Sequence, residues 1–381
     1  MLSRRVELFV ESVIRDMTRL SLKHDAVNLA QGFPDFPAPD ELKRAAASAI
    51  MEDYNQYSIT WGAKDLREEI SRKAREYNHI EYDPESEITV TCGSTEAMMS
   101  SMLALINEGD EVVVFEPFYE NYGPDAAVSG AVPRFVPLDD DCYIDEDALV
   151  SAFNKNTRVL ILNTPNNPSG KVFTKGELKL IADLCIDNDV IVVTDEIYEH
   201  ILYDNRKHIS IASLDGMDDR TITISGFSKT YSVTGWRIGY ALAEKNLTSA
   251  IRKVHDFLTV GAPAPLQHAC VAALRFSDSY YEELARMYDG KRKLLYNALI
   301  KAGFGCRMPE GAYYILADIP EGANMDDMAF ARYMVSKVGV AAVPGSSFYR
   351  SEEGRHKLRF TFSKKDETLV EAARRLERLN V

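Results

Sequence analysis

The strongest constraint on the fold is a repeated alternation of short β-branched runs with longer helical patterns. Glu87–Cys92 (EITVTC), Glu111–Phe115 (EVVVF), Arg158–Leu162 (RVLIL) and Val190–Thr194 (VIVVT) read as buried strands, and Thr221–Ser225 (TITIS) alternates with period two. Between them, Ser94–Ile106 and Lys175–Ile186 carry helical spacing. Strands separated by helices cannot pair as hairpins, so the expectation is an α/β chain whose largely parallel sheet is covered on both faces. Further on, Ser279–Lys301 reads as one long amphipathic helix ended by Gly303, followed by strand candidates at Tyr313–Ala317 and Leu358–Phe362. This change of pattern predicts a large domain over 47–281 and a smaller α/β domain made from 1–46 and 282–381.

Composition narrows the function. The 381 residues carry 58 acidic against 44 basic side chains, a formal charge of −14. That balance argues against a nucleic-acid or anionic-membrane partner, while leaving room for a small anion held by a few arginines. Cys92, Cys142, Cys185, Cys270 and Cys306 are widely spaced without a CxxC, which predicts reduced thiols in a cytoplasmic protein and no metal site. Glu7, Glu11 and Asp16 interrupt any secretory apolar segment, and no run approaches the roughly 18 apolar residues of a membrane helix. HExxH, Walker A, GxSxG and GxGxxG patterns are missing, which disfavours metalloprotease, P-loop, serine-hydrolase and dinucleotide chemistry.

Polar residues gather where the strands should end. Gly93-Ser94-Thr95, Asn163–Gly170, Asp195–Tyr198 and Ser228-Lys229 each follow a strand, with Arg237 shortly beyond. Ligands of parallel sheets bind at that edge. Each residue alone has an ordinary explanation: a solvated lysine, a helix cap, a turn, a surface arginine. Together they describe a pocket for pyridoxal phosphate. A lysine forms a Schiff base with the aldehyde, and a carboxylate keeps the pyridine nitrogen protonated. Tyr198 and Asn167 suit the ring hydroxyl, the helix start at Gly93–Thr95 suits the phosphate, and Tyr119 suits the open ring face.

The motifs NLAQGFPDFPAPDEL (Asn28–Leu42), NQYSITWGAKDLR (Asn55–Arg67), NTPNNPSGKVF (Asn163–Phe173), TDEIYEH (Thr194–His200), SGFSKTYSVTGWRIGY (Ser225–Tyr240) and LRFTFS (Leu358–Ser363) run in order along nearly the whole chain. With them the sequence resembles the class I/II aminotransferases of fold type I, near the aspartate aminotransferase and kynurenine/glutamine transaminase-like branch. The resemblance implies a mostly parallel seven-stranded sheet between helices plus a smaller α/β domain. It makes Lys229 the Schiff-base lysine and Asp195 the partner of the pyridine nitrogen. Gly93, Ser94, Thr95, Ser228 and Arg237 would hold the phosphate, with Tyr57 reaching the phosphate of a neighbouring subunit in a homodimer. Arg359, with Gly32 and Asn167, would take the substrate carboxylate. The implied reaction moves the amino group of an L-amino acid (aspartate, glutamine-like or aromatic) to a 2-oxo acid such as 2-oxoglutarate, in amino acid metabolism.

Two departures stand out. Some members have a serine three residues before the lysine, where this chain has Gly226, so Ser228 or Ser225 must substitute. Thr95 occupies a position where certain aspartate aminotransferases carry a lysine. The competing readings are a β-lyase acting on cystathionine or cysteine conjugates and a non-enzymatic effector-sensing domain. By analogy, the segment around Ile14 is expected to move over bound substrate.

Overall fold

The apolar runs become the strands of a seven-stranded sheet in the computed structural model, which describes residues 4–7, 9 and 11–379. After the two-residue β1 (Val27–Asn28), the sheet is formed by β2 (Ile88–Thr91), β3 (Glu111–Glu116), β4 (Val132–Pro137), β5 (Thr157–Asn163), β6 (Ile191–Asp195), β7 (Thr221–Gly226) and β8 (Gly239–Leu242). Their spatial order is β2-β8-β7-β6-β5-β3-β4. Neighbours are parallel except around β8, which runs antiparallel to both β2 and β7.

Two of these strands escape a periodicity reading. β4 carries Pro133 and Pro137 and is largely exposed, which an edge strand tolerates because one side of its backbone needs no ladder partner. β8 is only GYAL, too short to display a period. The helices are better signposted. Lys175–Asp187 opens with a capping box, in which Thr174 accepts from the Glu177 amide while the Glu177 carboxylate accepts from the Thr174 amide at 2.9 Å.

The C-terminal part adds β9 (Gly305–Cys306), β10 (Tyr314–Asp318), β11 (Val340–Ala341), β12 (Val343–Pro344) and β13 (Lys357–Thr361). Four of them form an antiparallel sheet in the order β12-β13-β10-β9, and β11 pairs with β1 in parallel. The long helix Asp278–Lys301 and the helix Asp366–Leu376 cover this sheet over a core that includes Leu295, Phe330, Phe360 and Leu369. Met17, Leu29 and Ala30 bury in the same core, so the N-terminal segment packs here. Helix Asp40–Met51 behaves differently. Its Leu42 and Ala46 bury with Ile70, Val90 and Ala269 beside the large sheet, although the division after residue 46 assigned them to the smaller unit. The reason is physical: its apolar face has its partners there. Among the described residues no helix is long and apolar enough to cross a membrane.

Candidate active site

The carboxyl ends of β2, β5, β6 and β7 open onto one cavity of about 500 Å³, a volume suited to a cofactor-sized ligand. Its wall includes Gly32, Ser94, Thr95, Tyr119, Asn167, Asp195, Tyr198, Ser228, Lys229, Arg237 and Arg359. Gly93 stands immediately behind as the N-cap residue of helix Ser94–Leu105. Tyr57 is not brought to this cavity; it is 86% exposed on the outer surface.

Topology explains how Arg237 arrives. Because β8 is antiparallel, its first residue Gly239 pairs with Thr91 on β2 and with Gly226 on β7. Arg237, two residues before β8, is thereby delivered to the edge where the parallel strands end. A Cβ on Gly239 would lie 2.5 Å from the Ser94 nitrogen, so only glycine lets β8 pass this close to the helix start.

Lys229 and Asp195 sit in an environment that alters both. Burial is the main cause that lowers the Lys229 pKa to about 8, reinforced by the positive charges of Arg237 and Arg359. Burial likewise raises Asp195 to about 6, opposed by the Tyr122 hydroxyl, which donates to Oδ2 at 2.9 Å, and by the Ile197 amide. The Lys229 ammonium lies 3.5 Å from the Gly32 carbonyl and 5.9 Å from the centres of the Tyr198 and Tyr313 rings. Tyr198 and Tyr314 share a hydroxyl–hydroxyl hydrogen bond of 2.9 Å.

Arg359 comes from β13 of the C-terminal sheet, so the cavity lies between the two units. It is 1% exposed; Nη1 donates to Asn167 Oδ1 at 2.9 Å and Nη2 to the Ala30 carbonyl at 2.7 Å. Its Nε is buried without a partner among the described residues, an orphan donor beside the cavity. Asn167 is fixed in turn, its amide donating to Asn163 Oδ1 at 2.7 Å while Asn163 Nδ2 donates to the Asp195 carbonyl at 2.9 Å.

The Gly226 departure has a steric cause. A Cβ there would stand 2.9 Å from the Ile238 carbonyl oxygen and 3.1 Å from Ser94 Oγ. Ser228 lines the cavity, whereas Ser225 donates to Glu199 Oε1 at 2.7 Å and does not reach it. Sequence reading missed Tyr122, Asp125, Ser12 and Arg15, all of which line the cavity, as Ile14 and Tyr314 also do. Tyr122 and Asp125 belong to no strand-end motif, although their spacing of three puts them on one face of helix Tyr122–Ser129.

This donor set fits pyridoxal phosphate. At one end, the helix start and Arg237 face the cavity and suit a dianion; at the other, the Asp195 carboxyl suits a protonated ring nitrogen. Comparison with known proteins agrees. The family model for aminotransferase class I and II matches residues 24–376. The Escherichia coli methionine aminotransferase is 35% identical, covering 97% of this chain and 96% of the relative. The Pyrococcus abyssi aspartate aminotransferase is 36% identical, covering 99% of this chain and 98% of the relative. The solved structure of the Mycobacterium tuberculosis N-succinyldiaminopimelate aminotransferase superposes with a TM-score of 0.96 at 39% identity, covering 100% of both chains. The sequence motifs, the sheet edge and these likenesses converge: the chain belongs to the class I and II aminotransferase family, with the type I fold and pyridoxal phosphate as its cofactor.

Proposed function

We propose that the enzyme transfers the amino group of aspartate, a glutamine-like or an aromatic L-amino acid to a 2-oxo acid, with 2-oxoglutarate as acceptor, in two half-reactions at the single site. The observation that carries this reading is the convergence of Lys229, Asp195 and Arg359 on one cavity. Pyridoxal phosphate supplies an aldehyde that captures the amino group and a protonated ring that accepts the electron pair released when the Cα–H bond breaks.

The residues do the rest. Arg359 pairs with the α-carboxylate, assisted by Asn167 and the Gly32 backbone, and so fixes which bond of Cα faces Lys229. Lys229, as a free amine, takes the proton from Cα and returns it; burial, which lowers its pKa, favours that free amine. Asp195 holds the ring-nitrogen proton, and Tyr198 and Asn167 hold the ring hydroxyl. Ser94, Thr95, Ser228 and Arg237 take the phosphate, Gly93 frees the helix start to approach it, and Tyr119 covers the ring. The segment around Ile14, at the cavity wall, closes over substrate and excludes water.

Further, the reading includes a cytoplasmic homodimer. Met51 is 83% exposed, Tyr57 86% and Phe257 91%, large apolar side chains that a second copy would cover while adding Tyr57 to the neighbouring phosphate site.

The test is a single-turnover scan of purified enzyme against a panel of amino acids without 2-oxo acid, reading the cofactor's visible absorption together with pyruvate and ammonia. Conversion to the amine form of the cofactor by one of the named donors is expected. Pyruvate accumulating from cystathionine or a cysteine conjugate would instead identify the β-lyase. Lys229→Ala should abolish turnover and keep the melting transition; near-normal activity would overturn the assignment.

A further inference from the structure

A buried histidine with no place in the mechanism joins the phosphate-facing helix to the loop that carries Tyr57. His255, 0% exposed, lies on helix Lys245–Thr259. Its Nδ1 is 2.6 Å from Glu96 Oε1 and its Nε2 is 2.7 Å from the Thr60 carbonyl oxygen. A peptide carbonyl can only accept, so Nε2 carries a hydrogen. Glu96 is already an acceptor three times over: its oxygens face Nδ1, the Cys92 amide at 2.5 Å and the Thr259 hydroxyl at 2.9 Å. With the Cys92 amide and the Thr259 hydroxyl already donating to the carboxylate, Nδ1 faces an acceptor. A hydrogen on Nδ1 as well as on Nε2 would make the ring an imidazolium.

Glu96 is the one acidic residue in the first turn of helix Ser94–Leu105, directly after Ser94 and Thr95. An uncompensated carboxylate there would oppose a phosphate dianion at the helix start.

We propose that His255 is a positioning residue: a protonated clasp that neutralises Glu96 and anchors the Tyr57 loop through Thr60, thereby setting how firmly the cofactor phosphate is retained. The inference rests on the reading of Ser94 and Thr95 as phosphate ligands. Burial opposes the charge on His255, but the hydrogen bond and charge of Glu96, the Thr60 carbonyl and Asp256 outweigh it and hold the pKa above the usual histidine value. The groups facing the ring are Glu96 from the phosphate helix, Thr60 from the loop, and Asp256 and Thr259 from its own helix. Loss of its proton at alkaline pH would break the contact with Glu96 and expose the phosphate to an unpaired carboxylate.

Nitrogen-15 NMR of histidine-labelled holoenzyme, with the His255 signal assigned by its disappearance in His255→Gln, should show both ring nitrogens protonated at neutral pH. A neutral ring would overturn the clasp. In parallel, the rate of cofactor release is followed against pH in the wild type and in Glu96→Gln, which also serves if His255→Gln does not fold. The wild type should release cofactor faster above the histidine range. Glu96→Gln, which has no carboxylate to expose, should abolish that alkaline limb, and His255→Gln should speed release about tenfold, the scale of one charge-assisted hydrogen bond. An alkaline limb that persists in Glu96→Gln would reduce His255 to a packing role. Thr95→Val keeps the readings separable: unchanged retention there would refute the phosphate assignment itself, whatever the state of His255.

Discussion

Asp125 shows how a single side chain can be placed by burial without any motif announcing it. It is 4% exposed on the cavity wall, on the helix face that also presents Tyr122 to Asp195. Burial, with the neighbouring Asp195 charge, raises its pKa to about 8. A carboxyl whose folded pKa lies above its unfolded value of about 3.9 binds its proton more tightly when folded. Its stabilising contribution is therefore complete below about pH 3.9 and is lost as pH rises to about 8. Asp125→Asn should make the cofactor-free enzyme lose less stability across that window, measured as melting temperature from about pH 5 to about pH 9. An unchanged decline would mean that Asp125 does not hold its proton. At this scale the sequence was legible where chemistry forces a residue type, as at Lys229, Asp195 and Arg359. It was silent on Tyr122 and Asp125, whose roles exist only through the partners that folding brings to them.

Elements that announce themselves by period were found within a residue or two, as with β3, β5, β6 and the helix Asp278–Lys301. β8 was not, yet it is the element that carries Arg237 to the site and crowds Gly226. The crowding yields a prediction about the missing serine. Gly226→Ser would drive a side chain against the Ile238 carbonyl, Gly239 and Ser94. It should destabilise the enzyme by about 1–3 kcal/mol, as overpacking does, and weaken cofactor retention, not supply a phosphate contact. Denaturant midpoints and cofactor-release rates check this; tighter retention would refute it. An element is readable when its own residues carry the pattern, and hidden when its identity comes from the strands it pairs with.

At the scale of the whole molecule, the cavity needs both units: Lys229 and Asp195 come from the large sheet and Arg359 from the smaller one, with Asn167 hydrogen-bonded across at 2.9 Å. The proposed homodimer extends the same logic to a second copy. His255 ties Thr60 to the helix that also bears the exposed Phe257. Phe257→Glu should shift the enzyme toward monomer in sedimentation velocity and hasten cofactor loss, because a charge carried into the proposed contact must be desolvated on association. A fully dimeric variant with normal retention would remove Phe257 from the interface. The sequence by itself determined the strand–helix alternation, the residues that ligand chemistry requires and the family to which they belong, since period and motif are properties of the chain read locally. Tertiary structure alone decided that Arg237 reaches the site through an antiparallel strand, that Ser228 and not Ser225 faces the cavity, and that Leu42 packs with the large sheet. Strand direction, side-chain facing and buried partners depend on contacts between residues far apart in the chain, which no local pattern records.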